Sequence, residues 1–217
     1  FAPVSSASTA YFDQINEKGG IYGRKIKFVR IDTQNTEAKS IQATKKLVEE
    51  DQVFAMFGSI GSSHLAVYKY LVEKGVPDLF FSDGVAEYVK PLKKTIFPGK
   101  ASYATEGTAL GKIVVEKQKG KKACFFITDN PFGEEFYAST KKAIEDGNAK
   151  LAEKDKIKIG STERVAFTEL QANTQVASMK KDNCEVVLAA PSGALLPRAI
   201  SYAILQKFEP LWLTWSI

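Results

Sequence analysis

The sequence is poor in the residues that build most self-sufficient chemical sites. It has one histidine, His64, and two cysteines, Cys124 and Cys184, in 217 residues. Zinc sites need three or four His, Cys or acidic ligands at close spacing, and neither cysteine sits in a CxxC pair, so a His/Cys zinc site is excluded. Two cysteines are also too few for a disulfide scaffold. No apolar run approaches the ~20 residues of a membrane-spanning helix. No signal peptide is visible; the chain opens abruptly at Phe1, as a mature or trimmed start would. There is no GxSxG nucleophile elbow, no Walker A lysine after the glycines of the one glycine-rich loop, and no GxGxxG. A Ser–His relay through His64 fails on geometry, because side chains next to each other at a helix start point apart.

The net charge of +5 comes from lysine clusters at 117–122 and 150–158. A single-strand binder would interleave aromatic rings with such lysines. None are interleaved here, so the clusters read as solvated helix ends and turns, and nucleic acid is not a partner. Apolar content of 44% is ordinary for a chain with a real core.

Against these absences stands one repeated pattern. Six times a short apolar run ends in a knot of small and polar residues, before a helix-like segment or the chain's end. The knots are Asp32-Thr33-Gln34-Asn35, Gly58-Ser59-Ile60-Gly61-Ser62-Ser63, Ser82-Asp83-Gly84, Thr128-Asp129-Asn130-Pro131, Ala190-Pro191-Ser192-Gly193 and Thr214-Trp215-Ser216. Strands and helices in alternation define a doubly wound parallel sheet, which binds ligands beyond the carboxyl ends of its strands.

Helical period predicts a first helix over 5–18 with Ala7, Ala10, Tyr11 and Ile15 inward. Strands follow over 25–31, 53–57 and 79–81. Helices lie between them over 36–50, N-capped by Asn35, and over 65–72, ended by Gly75. Residues 85–104 are irregular. Beyond them come a helix over 105–117, a strand over 123–127, a helix opened by Pro131, a strand over 158–167, and a helix over 171–181. A strand over 185–189, a helix from Pro197 with Ile200, Ala203 and Ile204 inward, and a strand over 211–214 complete the reading. We therefore expect two α/β lobes, 1–101 and 102–217. A doubly wound lobe normally grows from a central first strand, which would lie between 26–31 and 53–57. Here the first element is a helix and the last a strand, so the expectation is a portion of a longer protein with an incomplete first lobe.

The loop 58–63 follows a strand and opens a helix, so its backbone N–H groups and the hydroxyls of Ser62 and Ser63 suit a small carboxylate. Ser82, Asp83 and Gly84 would add a second set of donors, with Gly84 baring the backbone. Asp129 would bind a cation or hydroxyl, or cap the helix. Phe132 would stack on a ligand or pack in the core. Trp212 and Trp215 point to opposite faces of the last strand, and Trp215, at its carboxyl end, is the ligand candidate. Cys124 and Cys184 begin strands that are adjacent in a flavodoxin-like order. They form either a disulfide across the amino ends or two buried thiols.

The stretch from Ala10 to Ile26 (AYFDQINEKGGIYGRKI) resembles the opening of the Leu/Ile/Val-binding-protein-like, type I periplasmic binding proteins of ABC importers. Ala43 to Asp51, Leu71 to Pro77 (LVEKGVP), Ser102 to Gly107 (SYATEG) and Asp129 to Glu134 are similar to further stretches in the same order. The resemblance implies two α/β lobes on a hinge, a small ligand held between them in Venus-flytrap fashion, delivery to a membrane permease, an extracytoplasmic place, no cofactor and no catalysis. Family members carry a strand before the first helix and more elements after position 217. The resemblance also carries site residues over. Ser62 and Ser63 stand where the family grips a carboxylate, and Gly84 to Ala86 form the second such turn. Tyr103 lines the cleft and Phe132 covers the ligand. Two departures follow. Trp215-Ser216 replace the acid that pairs an amino-acid ammonium, and Pro191-Ser192 replace a tyrosine-bearing tip. An unpaired ammonium is costly to desolvate. Unless Asp83 or Asp129 supplies the charge, an aromatic or aliphatic carboxylate fits better than a zwitterion. The rival readings are a ligand-sensing receptor or regulator on the same lobes, and a hydrolase using the Ser62/His64 region.

Overall fold

The computed structural model describes residues 2–191 and 193–215. The chain divides into two compact units, Phe1–Asp83 with Tyr88–Lys100, and Gly84–Glu87 with Ala101–Ile217.

The second unit follows the pattern closely. Strands β4 (Lys122–Thr128), β5 (Lys158–Val165), β6 (Val186–Ala190) and β7 (Leu211–Thr214) form an all-parallel sheet in the order β5-β4-β6-β7. The central pair is apolar from Ala123 to Ile127 and from Val186 to Ala190 because both faces are covered there. Ala123, Phe125 and Ile127 of β4 point to a core with Phe132, Phe136 and Ile144 of α5 (Pro131–Asn148) and Val114 of α4 (Tyr103–Lys117). Cys124 and Phe126 point the other way. There they meet Val176 and Met179 of α6 (Asn173–Lys181) and Leu195, Ala199 and Ala203 of α7 (Leu195–Leu205). Trp212 packs on this second core and Trp215 on the first, as alternation requires. Both helix starts are capped as their residue types allow: Ser102 accepts from the Thr105 amide and Asn130 from the Gly133 amide. In α7 the inner face is Leu195, Ala199 and Ala203; Ile204, expected inward, is 60% exposed. The helix starts two residues before Pro197, and its i, i+4 row from Leu195 is what faces the sheet.

Cys124 and Cys184 are bonded, with their Cα atoms 5.7 Å apart. That separation lies within disulfide range because β4 and β6 are neighbours. Asp182 lies beside the bond and accepts from Lys122 Nζ at 2.9 Å and from the Ser161 amide at 2.7 Å. Cys124, Asp182 and Cys184 place ligand-type atoms within 4.8 Å of one another, but bonded sulfurs offer no thiolate to a metal.

The Lys122 ammonium, and next the Ser161 amide, hold the Asp182 carboxyl below its usual range. A depressed carboxyl contributes stability that is present above the unfolded value and lost as pH falls through the folded one. Asp182→Asn should therefore cost about 1 kcal/mol or less at pH 7, the pair being part-exposed. The cost should fade below about pH 4. Urea unfolding of both proteins at pH 7 and pH 3 checks this; an equal deficit at both values would contradict it.

The first unit is less regular. Helix α1 (Ala2–Glu17) is followed by α2 (Glu37–Lys45), which runs into a π-turn at Lys46–Glu50. A short parallel sheet follows in the order β1-β2-β3: β1 (Met56–Phe57), β2 (Asp78–Leu79) and β3 (Ile96–Phe97). A 3₁₀ turn (Ser62–Ala66) and α3 (Tyr68–Lys74) connect β1 to β2.

Three expectations are corrected here. Residues 25–31 are extended but form no strand, since a strand requires a hydrogen-bonded partner strand and none is present among the described residues; the Ile26 backbone bonds instead to the Asn16 side chain. Ala7, Ala10 and Tyr11 of α1 are exposed; Phe12 is the inward residue, edge-on to Phe28 and Phe57 at 5.1 and 5.3 Å. Asn35 is not the cap of α2, whose N-cap is Thr36; the Asn35 side chain turns instead to the Ser63 amide. An open cavity of about 1530 Å³ lies between the 25–31 segment and β1, with Phe12, Phe28 and Phe57 on its walls.

Candidate ligand-binding site

In the first unit, the loop after β1 bends at Gly58 and Gly61. Gly61 has φ +103°, and a Cβ there would fall 2.1 Å from Asn35 Oδ1, so only glycine fits. Ser82 lies against this loop: its amide donates to the Ser59 carbonyl at 2.7 Å, and Ile60 bridges to it in parallel. The tips after β1 and β2 are thus neighbours, as a parallel sheet dictates.

Ser63 and His64 point away from this edge. Ser63 is 4% exposed, and its hydroxyl accepts from the Ser40 hydroxyl at 2.8 Å. His64 is buried, stacked on Phe81 at 4.5 Å, with Nε2 2.7 Å from Asp78 Oδ2. Both serve the interior. The 3₁₀ turn starts at Ser62; its side chain lies outside the described detail. Asp83 is fully buried and accepts from the Tyr88 hydroxyl at 2.6 Å, so it acts as an interior anchor.

The second unit gathers residues far apart in sequence. The rings of Tyr103, at the start of α4, and Phe132, at the start of α5, are 4.6 Å apart. Trp215, just past β7, lies 4.6 Å from Phe132 and 6.2 Å from Tyr103. All three stand at the carboxyl end of the sheet. Phe132 and Tyr103 are only 7% and 6% exposed, and Trp215 is half-buried, so the cluster packs inward and shows an edge. Trp215 also walls a pocket of about 220 Å³ with Glu106, Leu110, Ile113 and Phe136.

Gly84 packs under Tyr103. A Cβ on Gly84 would lie 2.8 Å from the Ala101 carbonyl and 3.0 Å from the Tyr103 ring, so glycine is needed here for close approach. Its carbonyl accepts from the Tyr103 amide at 2.7 Å. The Ala86 amide donates to both carboxylate oxygens of Glu135, each at 3.0 Å. Asp129 is exposed at the tip of β4, with its amide on the Val165 carbonyl; the capping expected of it is done by Asn130. Arg164 pairs with Glu134 at 2.6 Å and lies over the Tyr137 ring; Glu134 above all holds its pKa up, with Asp129 a smaller contributor. Ser192 lies outside the described residues.

Glu135 is the residue that the sequence reading passed over. The signal was its spacing: three residues after Phe132 on one helix puts both on the same side.

A parallel sheet with an aromatic cluster at its carboxyl end has the architecture in which open α/β sheets take ligands. The chain matches the family described as periplasmic binding protein over residues 1–206, and it belongs to that family, in its type I form. It is 24% identical over 140 residues to the leucine-, isoleucine-, valine-, threonine-, and alanine-binding protein of Pseudomonas aeruginosa. That match covers 64% of this chain and 38% of that one. Its fold is similar to a branched-chain amino-acid ABC transporter protein from Thermus thermophilus with bound valine. There the TM-score is 0.84 at 18% identity, covering 98% of this chain and 54% of that one. It is also similar to an ABC-transporter solute-binding protein from R. palustris in complex with benzoate. The TM-score is 0.79 at 23% identity, covering 93% and 54%. The chain spans less than half of the curated relative and about half of each solved structure. Among the described residues, no helix is long and apolar enough to cross a membrane.

Proposed function

We propose that this chain belongs to the solute-binding component of an ABC importer and works outside the inner membrane. It takes a small carboxylate with an aliphatic or aromatic body and passes it, chemically unchanged, to a membrane permease. In the first unit the candidate carboxylate receiver is Ser62 with the backbone of the 58–63 loop; in the second unit the candidate ligand contacts are Tyr103, Phe132 and Trp215. Capture favours whichever conformation lets the ligand touch more of these groups, and the permease reads that conformation.

The observation that carries this reading is the convergence of Tyr103, Phe132 and Trp215 at one sheet end. The trio packs inward and presents an apolar edge, mainly from half-buried Trp215, at the strand tips where such sheets take ligands. Relatives that bind valine and benzoate support the ligand class. The Cys124–Cys184 bond supports an oxidising, extracytoplasmic compartment.

A thermal-shift screen of aliphatic acids, aromatic acids and amino acids tests it. A ligand present at 100 times its Kd should add about 2.7 kcal/mol. Ser62→Ala and Phe132→Ala should each lower that gain while leaving the unliganded midpoint nearly unchanged for Ser62→Ala. No shift with any acid, or conversion of a bound acid to product, would overturn the proposal.

A further inference from the structure

We infer that Asp182 governs the redox behaviour of the Cys124–Cys184 bond: its carboxylate, held against both sulfurs, opposes the thiolate that reductive attack must release, and so guards the bond against thiol exchange. The contact lies within the second unit, at the amino ends of β4 and β6. Four features of the fold converge on it. Asp182 Oδ2 is 3.6 Å from Cys124 Sγ and 4.0 Å from Cys184 Sγ. The pairing of β4 with β5 shifts register between Ala123 and Phe125, so Cys124 faces two residues, Gly160 and Ser161. Such a bulge takes a backbone amide out of the ladder, and the Ser161 amide donates to Asp182 Oδ2 at 2.7 Å. A Cβ on Gly160 would fall 2.5 Å from Asp182 Oδ2 and 2.6 Å from Cys124 Sγ, so glycine is what lets β5 lie over both groups. Lys122 Nζ holds the other oxygen, Oδ1, at 2.9 Å. The oxygen at the sulfurs is therefore fixed by a backbone donor, and the cation sits on its partner oxygen.

The chemistry turns on which sulfur can be reached. Cys184 keeps a trace of exposure and Cys124 has none. A thiolate of a small dithiol therefore attacks Cys184 Sγ. The S–S bond breaks, its electron pair leaves on Cys124 Sγ, and a mixed disulfide forms. The second thiolate of the reagent displaces Cys184 Sγ, and the reagent departs as its own disulfide. The two protein thiolates take two protons from water, and two electrons have passed from reagent to protein. Such exchange slows as the leaving thiol becomes harder to ionise. A like charge at close range disfavours ionisation, and the nearer sulfur to Asp182 is Cys124. The sulfur that must leave is thus the one least able to carry the charge.

The test measures the rate of reduction of the full chain by dithiothreitol under native conditions, and the pH at which the reduced protein forms thiolate, read by ultraviolet absorbance. The chain has no other cysteine, so both signals report this pair. Asp182→Asn keeps the size and an oxygen acceptor and removes the charge. It should speed reduction about fivefold or more and let thiolate form about one pH unit lower. Asp182→Glu, which keeps the charge, should lie between this variant and wild type. Lys122→Met loses the same ion pair but leaves the carboxylate without its cation, so it should slow reduction about twofold or more. A merely loosened fold would speed it instead. Faster reduction in both Asp182→Asn and Lys122→Met, with thiolate formation unmoved, would make Asp182 a fixture of the bulge and overturn the inference. A reduction rate in Asp182→Asn equal to that of wild type would overturn it as well.

Discussion

Replacing Cys124 and Cys184 together with alanine should cost the second unit about 4 kcal/mol. The bond closes a 60-residue separation, and removing it returns that loop's conformational freedom to the unfolded chain. A cost of that size is a large share of the 5–15 kcal/mol that holds a typical domain. The bond also joins two elements that contribute to the same core, since Cys124 and Cys184 are 0% and 4% exposed within it. Guanidinium unfolding with and without a reductant separates the contributions. The reduced wild type should unfold at nearly the midpoint of the double alanine variant, because the lost loop constraint is the same. A midpoint unmoved by reduction would show that the strand ladder alone carries the unit. The Ser161–Asp182–Lys122 contacts sit beside the bond, so their effect should weaken in the same variant.

The second large effect is expected at His64. Asp78 is fully buried, and His64 is the partner at 2.7 Å of one of its oxygens; the other has no hydrogen-bond partner among the described residues. His64→Ala would strand a buried carboxyl and remove a ring stacked on Phe81. Taking one member from a buried pair costs about 3–5 kcal/mol, much more than the net worth of the pair. Asp78→Ala made in addition to His64→Ala should recover part of the loss, because no orphaned acid remains. Calorimetric melting of the two single variants and the double variant measures this coupling. Strict additivity would show that His64 matters by its volume alone. Either result keeps His64 out of catalysis, since its ring faces the interior and not the edge of the 58–63 loop.

The second unit was legible strand by strand. Its apolar run at 123–127 and residues 186–189 of the expected 185–189 strand are buried on both faces and lie in β4 and β6; Glu185, expected in the buried strand, is exposed and pairs with Lys121. The first unit was less legible. Alternation over 25–31 marks apolar positions but says nothing of a hydrogen-bonded partner strand, and without one the segment is extended and unladdered. The inner face of α1 was misassigned for a related reason: alanines satisfy helical period on any side, while packing selected Phe12. At the site, Trp215 and Phe132 were readable as a strand-tip and a helix-start aromatic, whereas Tyr103 fell in the irregular 85–104 stretch and came only from the family resemblance. Glu135 was one of 25 acidic residues and carried no local mark beyond its spacing from Phe132.

By itself the sequence determined the alternation of elements and the parallel sheet of the second unit, because periodicity and turn chemistry are local and repeat along the chain; the family was read from the resemblance of particular stretches, such as Ala10 to Ile26. Only the tertiary structure decided that Cys124 and Cys184 bond, that residues 103, 132 and 215 share one cluster, and that the Ala86 amide meets an acid rather than standing ready for one. Those outcomes are choices of partner between distant residues, and close packing in the folded core makes them.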